Sequence, residues 1–379
     1  MKRPIRIALA SLLALPFASP IHAQRPSPER FAASIDSFVQ AEVLARGITG
    51  VSLVVARGDE PPIERSWGLA DTATQRRADN STAYRIGAIS KQFTAALLLK
   101  QVDRGRLSLN DTIGHYLAGL KPVWNRITIE QILNHTGALP RDWRVMSRAG
   151  DDMPRDSLFA MAARATAPRW PAGAGFAYSD TGYMLLAVLV EKLYGKSYGD
   201  VLRDEIARPL GLATLGWCGD REVAGRVAKA YHRTPAGTLV AAPYIHPSQM
   251  LAGGICSSAG DIARWNRALH GGKVLSAASY AAMITPRGAA ATAAVPYGLG
   301  LYVRPTPGGG TVIVHDGTSP GYTGENVWYP AEGLSVTMFT NTTGRLSSDI
   351  NLTEAIGRIA LGRPPVPVVH DAPPAPAAP

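Results

Sequence analysis

Apolar residues recur along this chain with two periods, and the changes of period divide it into elements. Over 28–46, Phe31, Ile35, Phe38, Val39, Val43 and Leu44 form a helical stripe that Gly47 stops. Residues 51–55 are apolar except for Ser52 and rich in β-branched side chains, the pattern of a largely buried strand. Residues 66–70 supply its hairpin partner, and a strongly apolar helix follows over 88–102. The middle reads as helices at 129–133, 156–165, 181–194, 198–207 and 259–269, separated by loops. Strand patterns return at 298–303, 311–315, 325–329 and 335–340, before a last helix over 349–361. Strands at both ends with helices between them predict an α/β fold of the α+β type. One antiparallel sheet is built from N- and C-terminal strands and flanked by helices, with a helical subdomain inserted. The groove between those layers is the natural place for a site.

The N-terminus changes the picture of where the protein works. Lys2, Arg3 and Arg6 precede an apolar run over 7–18, and the small Ala23 follows, which together describe a secretory signal peptide over 1–23. The alternative is an uncleaved anchor, but the run is shorter than the roughly 20 residues that span a bilayer. The expected product is periplasmic or secreted, with a body over 24–361 and a Pro/Ala-rich disordered tail over 362–379. No later stretch is long and apolar enough to span a membrane. The net charge is +10, falling to +7 when Lys2, Arg3 and Arg6 leave. Basic residues are scattered singly, which argues against a nucleic-acid partner. Without an H-E-x-x-H motif, and with its histidines dispersed, the chain is expected to need no metal and no cofactor. Its two cysteines, Cys218 and Cys256, are expected to pair in an oxidising compartment, two buried free thiols being the alternative.

Candidate chemistry gathers at three places. Ala88-Ile89-Ser90-Lys91 opens the first core helix, and positions three apart share a face, so Lys91 stands beside position 88. Free N–H groups at that helix start suit an oxyanion. The arrangement is S-x-x-K without its serine. None of the eight lysines has a serine three residues before it, and Ser90 falls on a different face from position 88. Tyr178-Ser179-Asp180 precedes a helix, where a tyrosine can reach into a cleft and relay protons. His315-Asp316-Gly317 closes a strand, where a cationic or hydrogen-bonding side chain with glycine two later lets a substrate lie along the sheet edge. His135 reads as structural, tying a loop beneath the site.

These segments, with Leu133-Asn134-His135-Thr136-Gly137, Pro209-Leu210-Gly211-Leu212, Ala252-Gly253-Gly254 and Tyr297-Gly298-Leu299-Gly300, occur in an order that resembles one family over about residues 30–361. It is the β-lactamase and penicillin-binding-protein-like serine hydrolases: class C β-lactamases, D-Ala-D-Ala peptidases and related esterases. The resemblance implies a β-lactamase/transpeptidase-like fold, with the nucleophile position at Ala88 and the general base at Lys91. It further implies the catalytic tyrosine at Tyr178, the third motif at His315 and Gly317, and oxyanion N–H groups from Ala88 and Thr318.

Two positions depart from the family pattern. Ala88 has no oxygen to acylate. Asp180 stands where the family more often has Asn, and a carboxylate there would hold Lys91 protonated. The expected function is acyl-transfer hydrolysis of an ester, peptide or amide in a form inactive or severely impaired as it stands. The alternative is a pseudoenzyme that binds peptidoglycan fragments, acyl compounds or a protein partner. A third route has Lys91 or Tyr178 activating water directly. A small acyl or peptide ligand is expected, of a kind the fold does not choose. Replacing the family's Lys by His315 leans toward peptidase or esterase relatives. The sequence does not fix the oligomeric state.

Overall fold

A computed structural model describes residues 28–44, 47–141, 170–243, 253–306, 310–343 and 350–363. The expected leader over 1–23, the helix over 156–165 and the tail from 364 onward lie outside the described residues. Helix α1 (Pro28–Glu42) leads into β1 (Gly50–Arg57), β2 (Ile63–Asp71), β3 (Arg76–Arg77) and β4 (Tyr84–Arg85). A 3₁₀ turn at Gly87–Ser90 then opens helix α2 (Lys91–Asp103). Among the elements that follow are α3 (Ile129–Leu133), α4 (Asp180–Tyr194), β5 (Gly216–Trp217), β6 (Tyr231–Arg233), β7 (Leu239–Ala241), β8 (Ile255–Ser257) and α5 (Ala259–His270). The chain closes with β9 (Tyr302–Pro305), β10 (Thr311–Ser319), β11 (Tyr322–Tyr329), β12 (Leu334–Thr340), β13 (Thr342–Thr343) and α6 (Ile350–Ala360).

The main sheet runs β3-β2-β1-β12-β11-β10-β9, and every neighbouring pair is antiparallel. Distant ends of the chain meet where β1 pairs β12, from Val51 opposite Thr340 to Arg57 opposite Leu334. Alternation along the strands divides the core. Val51, Leu53, Val312, Val314, Val336 and Met338 pack against α1 and α6 through Ile35, Val39, Leu352 and Ile356. Val54, Ile313 and Phe339 face the other way and join the larger cluster around Phe93, Trp265 and Tyr183. Helix α2 is buried around most of its circumference, from Lys91 to Leu99 and again at Gln101. It is held to α5 by Trp265 Nε1 donating to Gln92 Oε1 at 2.8 Å. No helix of the described residues is long and apolar enough to cross a membrane.

Two expected strands are redrawn. The strand expected over 298–303 starts at Tyr302 instead. Residues before it turn tightly: Gly300 has φ +85°, and a Cβ on Gly298 would come within 2.2 Å of the Met283 carbonyl oxygen. The strand expected to close at His315 continues to Ser319, so His315-Asp316-Gly317 lies inside β10. Gly317 opposite Gly324 lets that ladder run past the expected end without side-chain crowding.

Cys218 and Cys256 form a disulfide across 38 residues of sequence. It links the end of β5 to β8, and β8 also pairs β4, with Arg85 opposite Cys256. Ile86 N donates to Ile255 O at 3.1 Å, so the staple reaches the residues just before the 3₁₀ turn. Closing a loop of this length stabilises the native state by about 3–4 kcal/mol. A Cys218→Ser/Cys256→Ser double variant is expected to lose about that much in denaturant unfolding. The unaltered protein under reductant should give the same midpoint.

Candidate active site

The site is built where backbone touches backbone. Gly87 adopts φ +53°, and a Cβ placed on it would lie 2.8 Å from Thr318 N and 2.9 Å from Thr318 O. From the other side, a Cβ on Gly317 would lie 1.9 Å from Ile86 O and 3.3 Å from Ala88 N. Glycine at both positions is therefore what lets the 3₁₀ turn press against β10. Ala88 is in the first turn, so its N–H has no partner within the helix. A 3₁₀ turn repeats every third residue, which stacks position 88 over Lys91. Ala88 is half-buried at the groove, whereas Ser90 is buried and its Oγ has no hydrogen-bond partner among the described residues.

Lys91 is 1% exposed, and its Nζ donates to Asp180 Oδ1 at 2.6 Å. The same ammonium lies 4.7 Å from the Tyr178 ring centre and 5.4 Å from that of Tyr183. The ammonium thus has a carboxylate on one side and π faces on two others. Asp180 and Tyr178 are set in place by the cap of α4. Ser179 Oγ accepts from Gly182 N at 3.0 Å and donates to Pro140 O at 2.8 Å. Ser179 N donates to His135 Nδ1 at 3.1 Å, and Ala177 N donates to His135 O at 2.9 Å. His135, at φ +61°, thereby ties the tyrosine loop to the end of α3. Because Nδ1 accepts, the neutral ring carries its proton on Nε2. Burial, and then above all the nearby charge of Lys91, push its pKa well below the usual histidine range.

His315 is neutral for a related reason. Its Nδ1 lies 2.6 Å from the Asp316 carbonyl, which can only accept, so Nδ1 carries the proton and Nε2 accepts from Tyr297 OH at 3.0 Å. Burial lowers its pKa to about 4, against the opposing pull of Asp316. Of the two forms expected at this position, cationic or hydrogen-bonding, the ring has the hydrogen-bonding one. At neutral pH the ring carries no charge, and both nitrogens are engaged within the protein.

Reading the sequence gives Tyr297 only as part of the segment Tyr297-Gly298-Leu299-Gly300, with no role of its own, and assigns none to Tyr302, Tyr183 or Arg141. Tyr297 is fully buried among His135, His315, Phe176 and Tyr302. Tyr302 lies parallel to Tyr178, with centroids 6.5 Å apart and 6° between planes. Burial pushes the Tyr178 hydroxyl well above its usual range and that of Tyr302 to about 12, so both are neutral phenols. Tyr297 and Tyr302 flank the Gly298-Leu299-Gly300 turn, a signal that marks a turn and gives no hint of what its ends touch. Among the described residues, no cluster of three His, Cys, Asp or Glu side chains is placed to hold a metal ion.

His315, His135 and the half-buried His270, the last at about 3, all have folded pKa values below the unfolded value near 6.5. Between those values the unfolded chain binds more protons, so their contribution to stability is present above about pH 6.5 and is lost as pH falls toward 4. Each costs up to about 1.4 kcal/mol per pH unit across that window. Unfolding followed by denaturant titration between pH 7 and 4 is expected to show proton uptake. The His315 ring should remain neutral by NMR at pH 5.5.

The Beta-lactamase family matches residues 32–361. Penicillin-binding protein 4* of Bacillus subtilis (strain 168) is 24% identical over 330 residues, 83% of this chain and 72% of that protein. A D-aminopeptidase of Brucella anthropi is 27% identical over 321 residues, 83% of this chain and 60% of that protein. Among solved structures, the D-amino acid amidase of Ochrobactrum anthropi SV3, complexed with L-phenylalanine amide, superposes with a TM-score of 0.76 at 23% identity. That match covers 88% of this chain and 97% of the amidase, and it establishes a shared fold. With that family's model matching residues 32–361, most of its length, the chain belongs to the Beta-lactamase family.

Proposed function

We propose that this chain is an exported acyl-transfer hydrolase of the serine type whose nucleophile position is held by Ala88. Its substrate class is an ester, peptide or amide, as in esterases and D-amino-acid peptidases. In this reading Lys91 is the general base, Tyr178 the proton relay and His315 with Gly317 the third motif. The backbone N–H groups of Ala88 and Thr318 take the oxyanion. One observation carries it: the Ala88 methyl stands at the groove directly before a buried lysine, in a turn pressed against Gly317 and Thr318. Without an oxygen at that point no acyl-enzyme forms. Losing such a nucleophile leaves only the catalysis that binding and oxyanion donors provide. The relatives named for D-aminopeptidase and D-amino acid amidase activity support a D-amino-acid-derived substrate.

The Lys91–Asp180 contact favours a second reading, a protein that binds such ligands without turning them over. A lysine in an ion pair is a poorer base than a free one. The two readings separate on Ala88→Ser. A hydrolase frame predicts that this variant hydrolyses p-nitrophenyl acetate at least about 100-fold faster than the unaltered protein. Adding Asp180→Asn should raise the rate further, by about 10-fold. Rates equal to the unaltered protein in both variants would favour the binding reading. In that case calorimetric titration with peptidoglycan stem peptides should register binding without turnover.

A further inference from the structure

One buried side chain touches both halves of the groove. Tyr297 has no exposed surface, so it meets no ligand directly. Its ring stands at 89° to Tyr178, 90° to Tyr302 and 86° to His315, with centroids 6.2, 4.6 and 5.8 Å away. Tyr178 and Tyr302, parallel to within 6°, therefore both meet it at right angles. Edge-to-face contact of this kind is a preferred arrangement of aromatic rings.

The rings that Tyr297 joins belong to different layers. Phe176 and Tyr178 lie on the loop that enters α4, and His135 follows the end of α3. The centroids of Phe176 and His135 are 5.9 and 4.6 Å from that of Tyr297. On the sheet side, Tyr302 opens β9 and His315 lies in β10. Main chain holds Tyr297 in place between them. Its N–H donates to Ala290 O at 3.1 Å, and the next two residues donate to Leu301 O and Met283 O, each at 2.9 Å. The hydroxyl end is committed as well. Its proton goes to His315 Nε2 at 3.0 Å, because His315 Nδ1 spends its own on Asp316 O.

Resting on the acyl-transfer reading above, we propose that Tyr297 is a positioning residue, holding Tyr178 on the helical side in register with His315 on the sheet side. Apolar packing between layers is non-directional. A ring held perpendicular to its neighbours, with its hydroxyl bonded at the far end, fixes both an angle and a distance. In the acyl-transfer reading Tyr178 is the proton relay and His315 belongs to the third motif, so their separation enters the rate. A misplacement of about 1 Å between such groups costs about 100-fold. Tyr297→Phe keeps the ring and removes the hydrogen bond, whereas Tyr297→Leu removes both.

The test has two parts. In the otherwise unaltered protein, nitrogen NMR of the histidine rings should show His315 Nε2 as a hydrogen-bonded acceptor. In Tyr297→Phe that signal should move to the position of an unbonded ring nitrogen. In an Ala88→Ser background, adding Tyr297→Phe is expected to lower kcat for p-nitrophenyl acetate by about 10-fold, with KM within about 2-fold. Adding Tyr297→Leu should lower it by about 100-fold. Tyr231→Phe loses a hydroxyl bonded to Thr72 N at 2.8 Å and should leave kcat within about 2-fold, so a general loss of stability would appear in both tyrosine variants. An unmoved His315 signal, an unchanged kcat in Tyr297→Phe, or an equal loss in Tyr231→Phe would each overturn the proposal. If the Tyr297 variants do not fold, the unaltered protein decides, through an exchange-protected Tyr297 hydroxyl proton correlated with the His315 ring; its absence overturns the proposal. An Ala88→Ser variant without activity sinks the acyl-transfer reading alone, since the His315 signals are read without it.

Discussion

The close approach between the Gly87–Ser90 turn and β10 governs the organisation of the groove. Helix α2 could pack on the sheet in many ways, but a turn whose backbone lies within a Cβ's reach of Gly317 and Thr318 has one position available. Everything else then follows in sequence. Lys91 leaves the turn one 3₁₀ repeat after Ala88, the cap of α4 brings Asp180 to that lysine, and His135 fixes the cap from below. Removing either glycine's freedom would force the turn and the strand apart, and no side-chain contact in the groove could compensate.

Around that contact the charges are kept sparse. Burial holds His135 and His315 neutral and keeps the phenols of Tyr178, Tyr297 and Tyr302 protonated, so the walls are polar without being ionic. Among the described residues, the one buried ammonium has its carboxylate. A buried charge left unmatched would cost several kcal/mol, so Asp180 stabilises Lys91 in a pocket with no serine to receive its help.

Much of this was legible from residue order. The fold class followed from strands at both ends of the chain with helices between. The meeting of Lys91 with Asp180 was implied by the family resemblance, which puts Asp180 where the family more often has Asn. What escaped reading depended on tertiary contact. His315 sits within a strand because Gly317 faces Gly324 across the ladder, a pairing that no local pattern announces. Its neutrality comes from burial, and the Tyr297 hydroxyl that it accepts lies on the far side of a tight turn, a contact that the segment Tyr297-Gly298-Leu299-Gly300 does not announce. Gly298 and Gly300 delay β9 because they rest on Met283 and on α2, contacts invisible to a period-two count. Arg141 follows a proline in a loop, and nothing in its sequence neighbourhood says that Tyr178 lies beneath it.

The cradle formed by the turn and β10 is made of main chain, and main chain is not what point mutation edits. Codons for alanine and serine can differ by a single base, so a lineage carrying Ala88 need not rebuild a site to regain a hydroxyl. Selection acting only on folding would preserve Gly87, Gly317 and the cap that holds Tyr178, because the packing of α2 against the sheet requires them. The architecture therefore keeps the turn, the strand and the cap in one arrangement as a by-product of stability, with a hydroxyl at position 88 a single base change away.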